Sequence, residues 1–113
     1  MTAAGVESSA DDGSMRIRLS GEIDLANADA VEDQIRAALS PQPSAVSVDL
    51  TDLTYLDSAG MRVLYGLASR LHALQIVLEL IVPFDAPTRR LIELSGFESI
   101  ATVRPVHPNE YQK

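Results

Sequence analysis

The first hydrophobic pattern along the chain predicts a β-hairpin near the N-terminus. In residues 15–20, Met, Ile and Leu alternate with Arg and Ser, a period of two that is typical of a half-buried strand. Residues 5–8 form a weaker extended pattern before it. The Asp-Asp-Gly-Ser segment at residues 11–14 favours a tight turn between the two strands, because glycine adopts a positive φ without steric cost.

Behind this hairpin, helical and extended hydrophobic patterns alternate. Apolar residues three and four apart predict helices, while β-branched or nearly continuous apolar runs predict strands. The predicted helices cover residues 26–39, residues 59–73 and a short segment between Asp85 and Gly96. The predicted strands cover residues 45–50, 76–82 and 100–103.

The same spacing predicts which side of each helix packs inward. We expect Asp85 to cap the third helix, Pro87 to lie in its first turn and Gly96 to follow its end. The inward-facing residues are expected to be Val31, Ile35, Ala38 and Leu39 in the first helix, Val63, Leu64, Leu67, Ala68 and Leu71 in the second, and Leu91, Ile92 and Leu94 in the third.

The order of elements, ββαβαβα with a possible final strand, predicts an α/β fold with a mostly parallel central sheet. We expect four to five strands, an N-terminal hairpin and three to four helices. Residues 1–113 form one domain in this interpretation, with a weak edge strand and turn at 1–14 and an irregular tail at 104–113. The loops at residues 21–27 and 51–60 should share the rim at the carboxyl ends of the strands.

Composition and charge exclude several classes of function. The 113 residues carry a net charge of −7, which opposes the binding of nucleic acid phosphates. The chain contains no cysteine, so disulfides and thiolate metal sites are ruled out. The apolar run at residues 76–84 is too short to span a membrane, and residues 1–14 do not resemble a signal peptide. We therefore expect a soluble, cytoplasmic protein.

Enzymatic and metal chemistry find little support in the sequence. The Asp57-Ser58-Ala59-Gly60 segment follows Leu56, where a serine hydrolase elbow would have glycine. Two histidines stand apart, and the acidic residues do not match a calcium loop. We predict neither a catalytic residue nor a metal, and no cofactor.

Ser58 remains as the residue of interest, and two interpretations of it stay open. Serine at the start of a helix is a favoured N-cap, worth about 1 kcal/mol over alanine. Asp57 could provide the same cap, in which case Ser58 would be available for another purpose.

Four segments spread over nearly the whole chain form a recognisable set. They are Leu19-Ser20-Gly21-Glu22-Ile23-Asp24, Val46-Ser47-Val48-Asp49-Leu50, Leu53-Thr54-Tyr55-Leu56-Asp57-Ser58-Ala59-Gly60 and Leu91-Ile92-Glu93-Leu94-Ser95-Gly96-Phe97. In this order and spacing they resemble the STAS domain of bacterial anti-sigma factor antagonists.

The resemblance implies a phosphorylation switch. In that family the serine of the Asp-Ser-x-Gly segment is phosphorylated by the anti-sigma factor, a serine kinase with a histidine-kinase-like ATPase fold. The unmodified antagonist binds this kinase and frees a sigma factor for transcription, and a serine phosphatase restores the modified form. Ser58 is then the phosphoacceptor. Many members carry a second Ser or Thr where this chain has Ala59, so one hydroxyl is left as the candidate.

The resemblance also implies a partner-binding surface around Ser58, formed by a monomer. Met61 is either an exposed anchor or part of the core, and Tyr65 is expected in the core or at its edge. The expected contact residues are Asp24, Tyr55, Asp57, Gly60, Met61 and Arg62. STAS domains also serve as soluble subunits of lipid-transport ABC systems, which is the alternative function that the sequence leaves open.

Overall fold

A computed structural model of the chain describes residues 3–105, which form a five-stranded sheet and three α-helices. The strands are β1 (Ala4–Asp11), β2 (Ser14–Ile23), β3 (Ala45–Leu56), β4 (Val77–Ile81) and β5 (Thr102–Arg104). The helices are α1 (Ala28–Ala38), α2 (Ser58–Ala73) and α3 (Arg89–Leu94), followed by a 3₁₀ turn (Phe97–Ser99). The sheet order is β1-β2-β3-β4-β5, antiparallel between β1 and β2 and parallel elsewhere. The predicted α/β class and mostly parallel sheet are confirmed.

The N-terminal hairpin forms as predicted, although its first strand is longer than the sequence indicates. Asp12 and Gly13 connect β1 to β2 with φ values of 53° and 87°. Positive φ at both central residues is the geometry of the tight turn that matches the natural twist of two strands. The polar start of the chain is extended from Ala4 because it pairs with β2 along its whole length, from Ala4 opposite Gly21 to Asp11 opposite Ser14.

All three helices pack on the same face of the sheet. Strands that follow one another in both sequence and space, joined by right-handed crossovers, place every crossover helix on one side. The core between the helices and this inner face includes Ile17, Leu19, Val48 and Leu80 from the strands, and Ile35, Leu64 and Ile92 from the helices. The inward residues predicted for α2 are all buried.

The opposite, outer face of the sheet carries charged pairs. Asp49 on β3 is 1% exposed and receives Arg16 at 3.3 Å and Arg18 at 3.9 Å from β2. Arg104 on β5 lies 3.2 Å from Glu79 on β4. Among residues 3–105, no helix covers this face, so side chains of the strands themselves bury Asp49.

The predicted loop at residues 51–60 is wrong over its first six residues, which continue β3 to Leu56. Two register shifts against β2 lie in this stretch, between Arg18 and Ser20 and between Gly21 and Glu22. Such bulges insert an extra residue and break the alternation of buried and exposed side chains. Residues 51–56 therefore lack the period of two by which a strand is recognised. β2 likewise continues to Ile23, which leaves a loop of only residues 24–27.

The third helix differs most from its prediction. It begins at Arg89 with Thr88 at the cap position, so Asp85 does not cap it and Pro87 precedes it. Leu91 and Leu94, expected in the core, are 38% and 72% exposed, and Ile92 alone is buried in this helix. In this six-residue helix Ile92 packs into the core, and Arg89 Nη1 donates a hydrogen bond to the Val82 carbonyl. Gly96 follows its end with φ 76°, as predicted.

The ends of the chain add two observations. The final strand is residues 102–104 instead of 100–103, so Arg104 belongs to the sheet and not to the predicted tail. The rest of that predicted tail, from residue 106, lies outside the described residues. Within residues 3–105 no helix is long and apolar enough to cross a membrane.

Candidate functional site

Asp57 connects β3 to α2 and caps the helix. Its backbone is extended, with φ −99° and ψ −170°, and its Oδ1 accepts hydrogen bonds from the N–H groups of Ala59 at 2.9 Å and Gly60 at 3.0 Å. These are donors that the first turn of a helix leaves without a backbone partner. Of the two candidate caps, the structure therefore selects Asp57, and Ser58 is the first helical residue.

The second carboxylate oxygen of Asp57 binds a different element. Oδ2 accepts a hydrogen bond from the N–H of Leu25 at 3.1 Å, across the gap between α2 and the loop after β2. The Asp57 N–H also donates to the Ile23 carbonyl at 3.2 Å. The N–H of Gly60 lowers the pKa of the Asp57 carboxyl most strongly, and those of Leu25 and Ala59 lower it further. The side chain thus stays ionised and joins the two loops of the rim.

The loop at residues 24–27 is shaped by its own polar side chains. Asp24 Oδ1 accepts from the Ala26 N–H at 2.9 Å, and Asn27 Oδ1 accepts from the Asp24 N–H at 3.0 Å. Asn27 Nδ2 donates to the Glu22 carbonyl at 2.9 Å. Asp24, predicted as a partner contact, is half-buried and stabilises this turn. The turn presents Leu25, which is 80% exposed.

Gly60 lies beneath the rim, where α2 approaches β2 and β3. A Cβ at this position would collide with Leu56 Cδ1 and would lie 3.0 Å from Ile23 Cγ2 and 3.1 Å from the Ile23 carbonyl oxygen. Gly60 is buried, so it shapes the site and does not itself offer a surface to a partner.

Ser58 is exposed and faces a shallow surface depression of about 400 Å³. Within residues 3–105 its hydroxyl makes no hydrogen bond, because Asp57 supplies the cap. The other residues that line the depression are Met61, Arg62, Tyr65, Gly66 and Ser95. We call this set, with Ser58, the Ser58 depression.

The walls of the Ser58 depression combine apolar surface with one cation. Met61 is half-buried and packs against the core, so part of its side chain stays exposed. Tyr65 is 40% exposed and packs edge-to-face on Phe97, with ring centroids 5.4 Å apart, as expected for the edge of the core. Arg62 is exposed and, within the described chain, forms no ion pair.

The structure brings most of the predicted site residues together, with one exception. Tyr55 lies on β3 opposite Glu22, on the outer face, and is 50% exposed there. It therefore points away from the Ser58 depression. Leu25 and Ser95 also lie at this site, and neither is among the residues predicted for it. An isolated leucine in a predicted polar turn was the available signal for Leu25, whereas nothing local indicates that Ser95 approaches α2.

A larger groove of about 530 Å³ lies elsewhere, between α1 and α2. Ile35, Leu67 and Leu71 contribute to its floor, and Arg36 and Arg70 flank it. None of the residues predicted for the site lines this groove.

The geometry offers no second chemical centre in the described part of the chain. No group of three or more His, Cys, Asp or Glu side chains in residues 3–105 is placed to hold a metal ion. Burial raises the pKa of Asp49, but hydrogen bonds from the Thr51 hydroxyl and N–H and from Arg16 have the larger combined effect. The pKa of Asp49 therefore lies below its ordinary value. This carboxylate is thus fully engaged within the sheet.

Comparison with known proteins shows which family the chain resembles. The family model of the STAS domain matches residues 6–112. BtrV of Bordetella bronchiseptica, named as an anti-sigma factor antagonist, is 35% identical over 81% of this chain and 78% of its own length. The anti-sigma-F factor antagonist RsfB of Mycobacterium tuberculosis is 32% identical over 73% of this chain and 66% of its own.

A solved structure extends the similarity to three dimensions. The crystal structure of an anti-sigma factor antagonist from Mycobacterium paratuberculosis superimposes with a TM-score of 0.80. It covers 92% of this chain and 87% of its own, with 28% sequence identity. The chain therefore belongs to the STAS-domain family, and the relatives that it matches there are named anti-sigma factor antagonists.

Proposed function

We propose that this protein is an anti-sigma factor antagonist that is switched off by phosphorylation of Ser58. Its unmodified form binds an anti-sigma factor, a serine kinase with a histidine-kinase-like ATPase fold, and so frees a sigma factor. In the modification the Ser58 Oγ bonds to the γ-phosphorus of ATP, the bond to ADP breaks, and the hydroxyl proton is released. A serine phosphatase reverses the step.

The proposal rests on one observation, which is that Asp57 and not Ser58 makes the hydrogen bonds that cap α2. Asp57 provides the cap with one oxygen and the tie to Leu25 with the other. The Ser58 side chain is exposed at the first residue of α2, and within the described residues its hydroxyl makes no hydrogen bond. A hydroxyl in this position is accessible to a kinase and can be modified without unfolding the helix.

Phosphorylation would act mainly on the partner and not on the fold. A phosphate adds a charge of about −1.5 to −2 at neutral pH. The helix dipole stabilises it by only about 0.3–1 kcal/mol, whereas Asp57 already makes the rim acidic. Added bulk and repulsion costing about 3 kcal/mol across an interface would weaken binding on the order of 100-fold.

The test is an affinity capture from the native lysate with Ser58→Ala and Ser58→Asp baits side by side. We expect the Ser58→Ala bait to hold a small kinase that the Ser58→Asp bait loses, with about a 100-fold difference in Kd for the purified pair. The unfolding free energies of both baits serve as the control. They should lie within about 0.5 kcal/mol of the native protein, because Asp57 keeps the cap.

Two outcomes would contradict the proposal. Equal retention of the kinase by both baits would show that charge at residue 58 does not control binding. An ABC ATPase held equally by both baits would instead assign the chain to the lipid-transport alternative.

A further inference from the structure

Arg62 is the cation nearest in sequence to Ser58 on the exposed side of α2. The two residues are four positions apart, so they lie one helical turn from each other on the same face, and both line the Ser58 depression. Side chains on a helix lean toward its N-terminus, which directs Arg62 back toward Ser58. Because Arg62 has no ion-pair partner in residues 3–105, its guanidinium is available.

Three backbone N–H groups at the start of α2 already donate hydrogen bonds to Asp57 and are therefore not available to a phosphate on Ser58. The N–H groups of Ala59 and Gly60 donate to the Asp57 side chain, and the N–H of Met61 donates to the Asp57 carbonyl at 2.9 Å. A phosphate could reach these donors only by displacing the Asp57 cap. The charged guanidinium of Arg62 is therefore a stronger donor for the phosphate than any neutral N–H group that remains at this turn.

We propose that Arg62 binds the phosphate of modified Ser58 and holds it against α2. The inference rests on the proposed function, because it concerns the phosphorylated state of the same residue. A guanidinium matches phosphate oxygens with two parallel hydrogen bonds, and an acid four residues before a base is the favourable order on a helix.

This pairing adds a second element to the switch. In the unmodified form Arg62 is free to meet an acidic group of the partner. In the modified form the phosphate draws Arg62 onto Ser58, so the partner loses a cation and meets an anion at once. The charged and titratable groups around the phosphate are then Arg62 and Tyr65 on α2, Asp57 at the cap, and Asp24 on the loop that Asp57 ties down.

The test is a phosphorus NMR titration of protein carrying phosphoserine installed at position 58 during synthesis. A cation beside the phosphate lowers its second pKa, which is about 6 for free phosphoserine. We expect Arg62→Gln to raise that pKa by about 0.3 units, from the usual strength of a pair one turn apart. Arg62→Lys should restore part of the difference, and a high salt concentration should reduce it.

The matched control is Arg70→Gln, which removes another exposed arginine of α2 that lines the α1–α2 groove and not the Ser58 depression. It should leave the phosphate pKa unchanged. If the phosphoserine of the protein with Arg62 and that of the Arg62→Gln variant have the same second pKa, the inference is overturned. No kinase takes part in this experiment, so the pairing can fail while the capture test succeeds, and the reverse is equally observable.

Discussion

At the scale of single residues, Asp57 makes the hydrogen bonds that cap α2, so the Ser58 hydroxyl is not needed for the cap. Its two oxygens accept hydrogen bonds from two different elements, the first turn of α2 and the loop that presents Leu25. A residue with one acceptor oxygen could serve only one of them. The identity of residue 57 therefore controls the position of an exposed apolar side chain beside the proposed phosphorylation site.

Replacement of Asp57 by Asn tests this double role. Asparagine is as good an N-cap as aspartate, but its second side-chain atom is an amide nitrogen that cannot accept from Leu25. We expect hydrogen exchange at the Leu25 amide to accelerate while the Gly60 amide keeps its protection. Amide exchange followed by NMR measures both positions in one sample.

Asp57→Ala is the comparison that separates the two contacts, because it removes both. The Leu25 and Gly60 amides should then both lose protection. Unchanged exchange at Leu25 in Asp57→Asn would mean that the loop holds its shape through the Asp24 and Asn27 hydrogen bonds alone.

At the scale of elements, the site depends on how closely the start of α2 approaches the ends of β2 and β3. The approach is possible because residue 60 has no side chain, and Ile23 and Leu56 fill the space where one would be. A second glycine of the same helix, Gly66, has no atom within 4 Å of the position that a Cβ would occupy. The two glycines thus provide opposite cases within one element.

Gly60→Ala should destabilise the protein and Gly66→Ala should stabilise it. Alanine is the better helix former by about 1 kcal/mol, which is the expected gain at Gly66. At Gly60 the new methyl group must displace Ile23 or Leu56, and overpacking of this kind costs about 1–3 kcal/mol. Urea unfolding of the two variants measures the difference. A gain at both positions would contradict the close contact at Gly60.

At the scale of the whole molecule, a sequential sheet with every helix on one side has to stabilise its other face without helices. On that outer face Asp49 is almost completely buried beneath strand side chains and is joined by Arg16, Arg18 and Thr51. The hydrogen bonds outweigh the effect of burial, so the pKa of Asp49 is lower than in an exposed aspartate. Its ionised form consequently contributes to the stability of the fold.

Asp49→Asn should lower the free energy of unfolding by about 1–2 kcal/mol at about pH 7, a moderate loss because the arginines stay half exposed. A carboxylate whose pKa is lowered by folding stabilises the native state above its unfolded-state pKa of about 3.9. That contribution is lost as the pH falls through the lower folded-state value. The gap between the native and variant proteins should therefore narrow as the pH falls below the unfolded-state value, as measured by denaturant unfolding. A constant gap would contradict the role of the charge.

Local sequence patterns are enough to predict the number and order of most elements, the hairpin turn, the buried face of α2 and the family. These features depend on local backbone preference, on the spacing of apolar residues or on short motifs, and each can be recognised within one segment. The candidate site around Ser58 can be predicted in the same way, because Asp57, Ser58, Gly60, Met61 and Arg62 are close in the chain.

The contacts between residues of different elements cannot be predicted from such patterns, because they depend on how the elements pack. The bulges that carry β3 to Leu56 arise from its register with β2, so residues 51–56 show no strand period on their own. The exposure of Leu94 and the approach of Ser95 to α2 likewise depend on neighbours distant in sequence. Hydrophobic periodicity reports how one segment is buried, whereas a hydrogen bond such as that from Leu25 to Asp57 exists only after two segments have packed together.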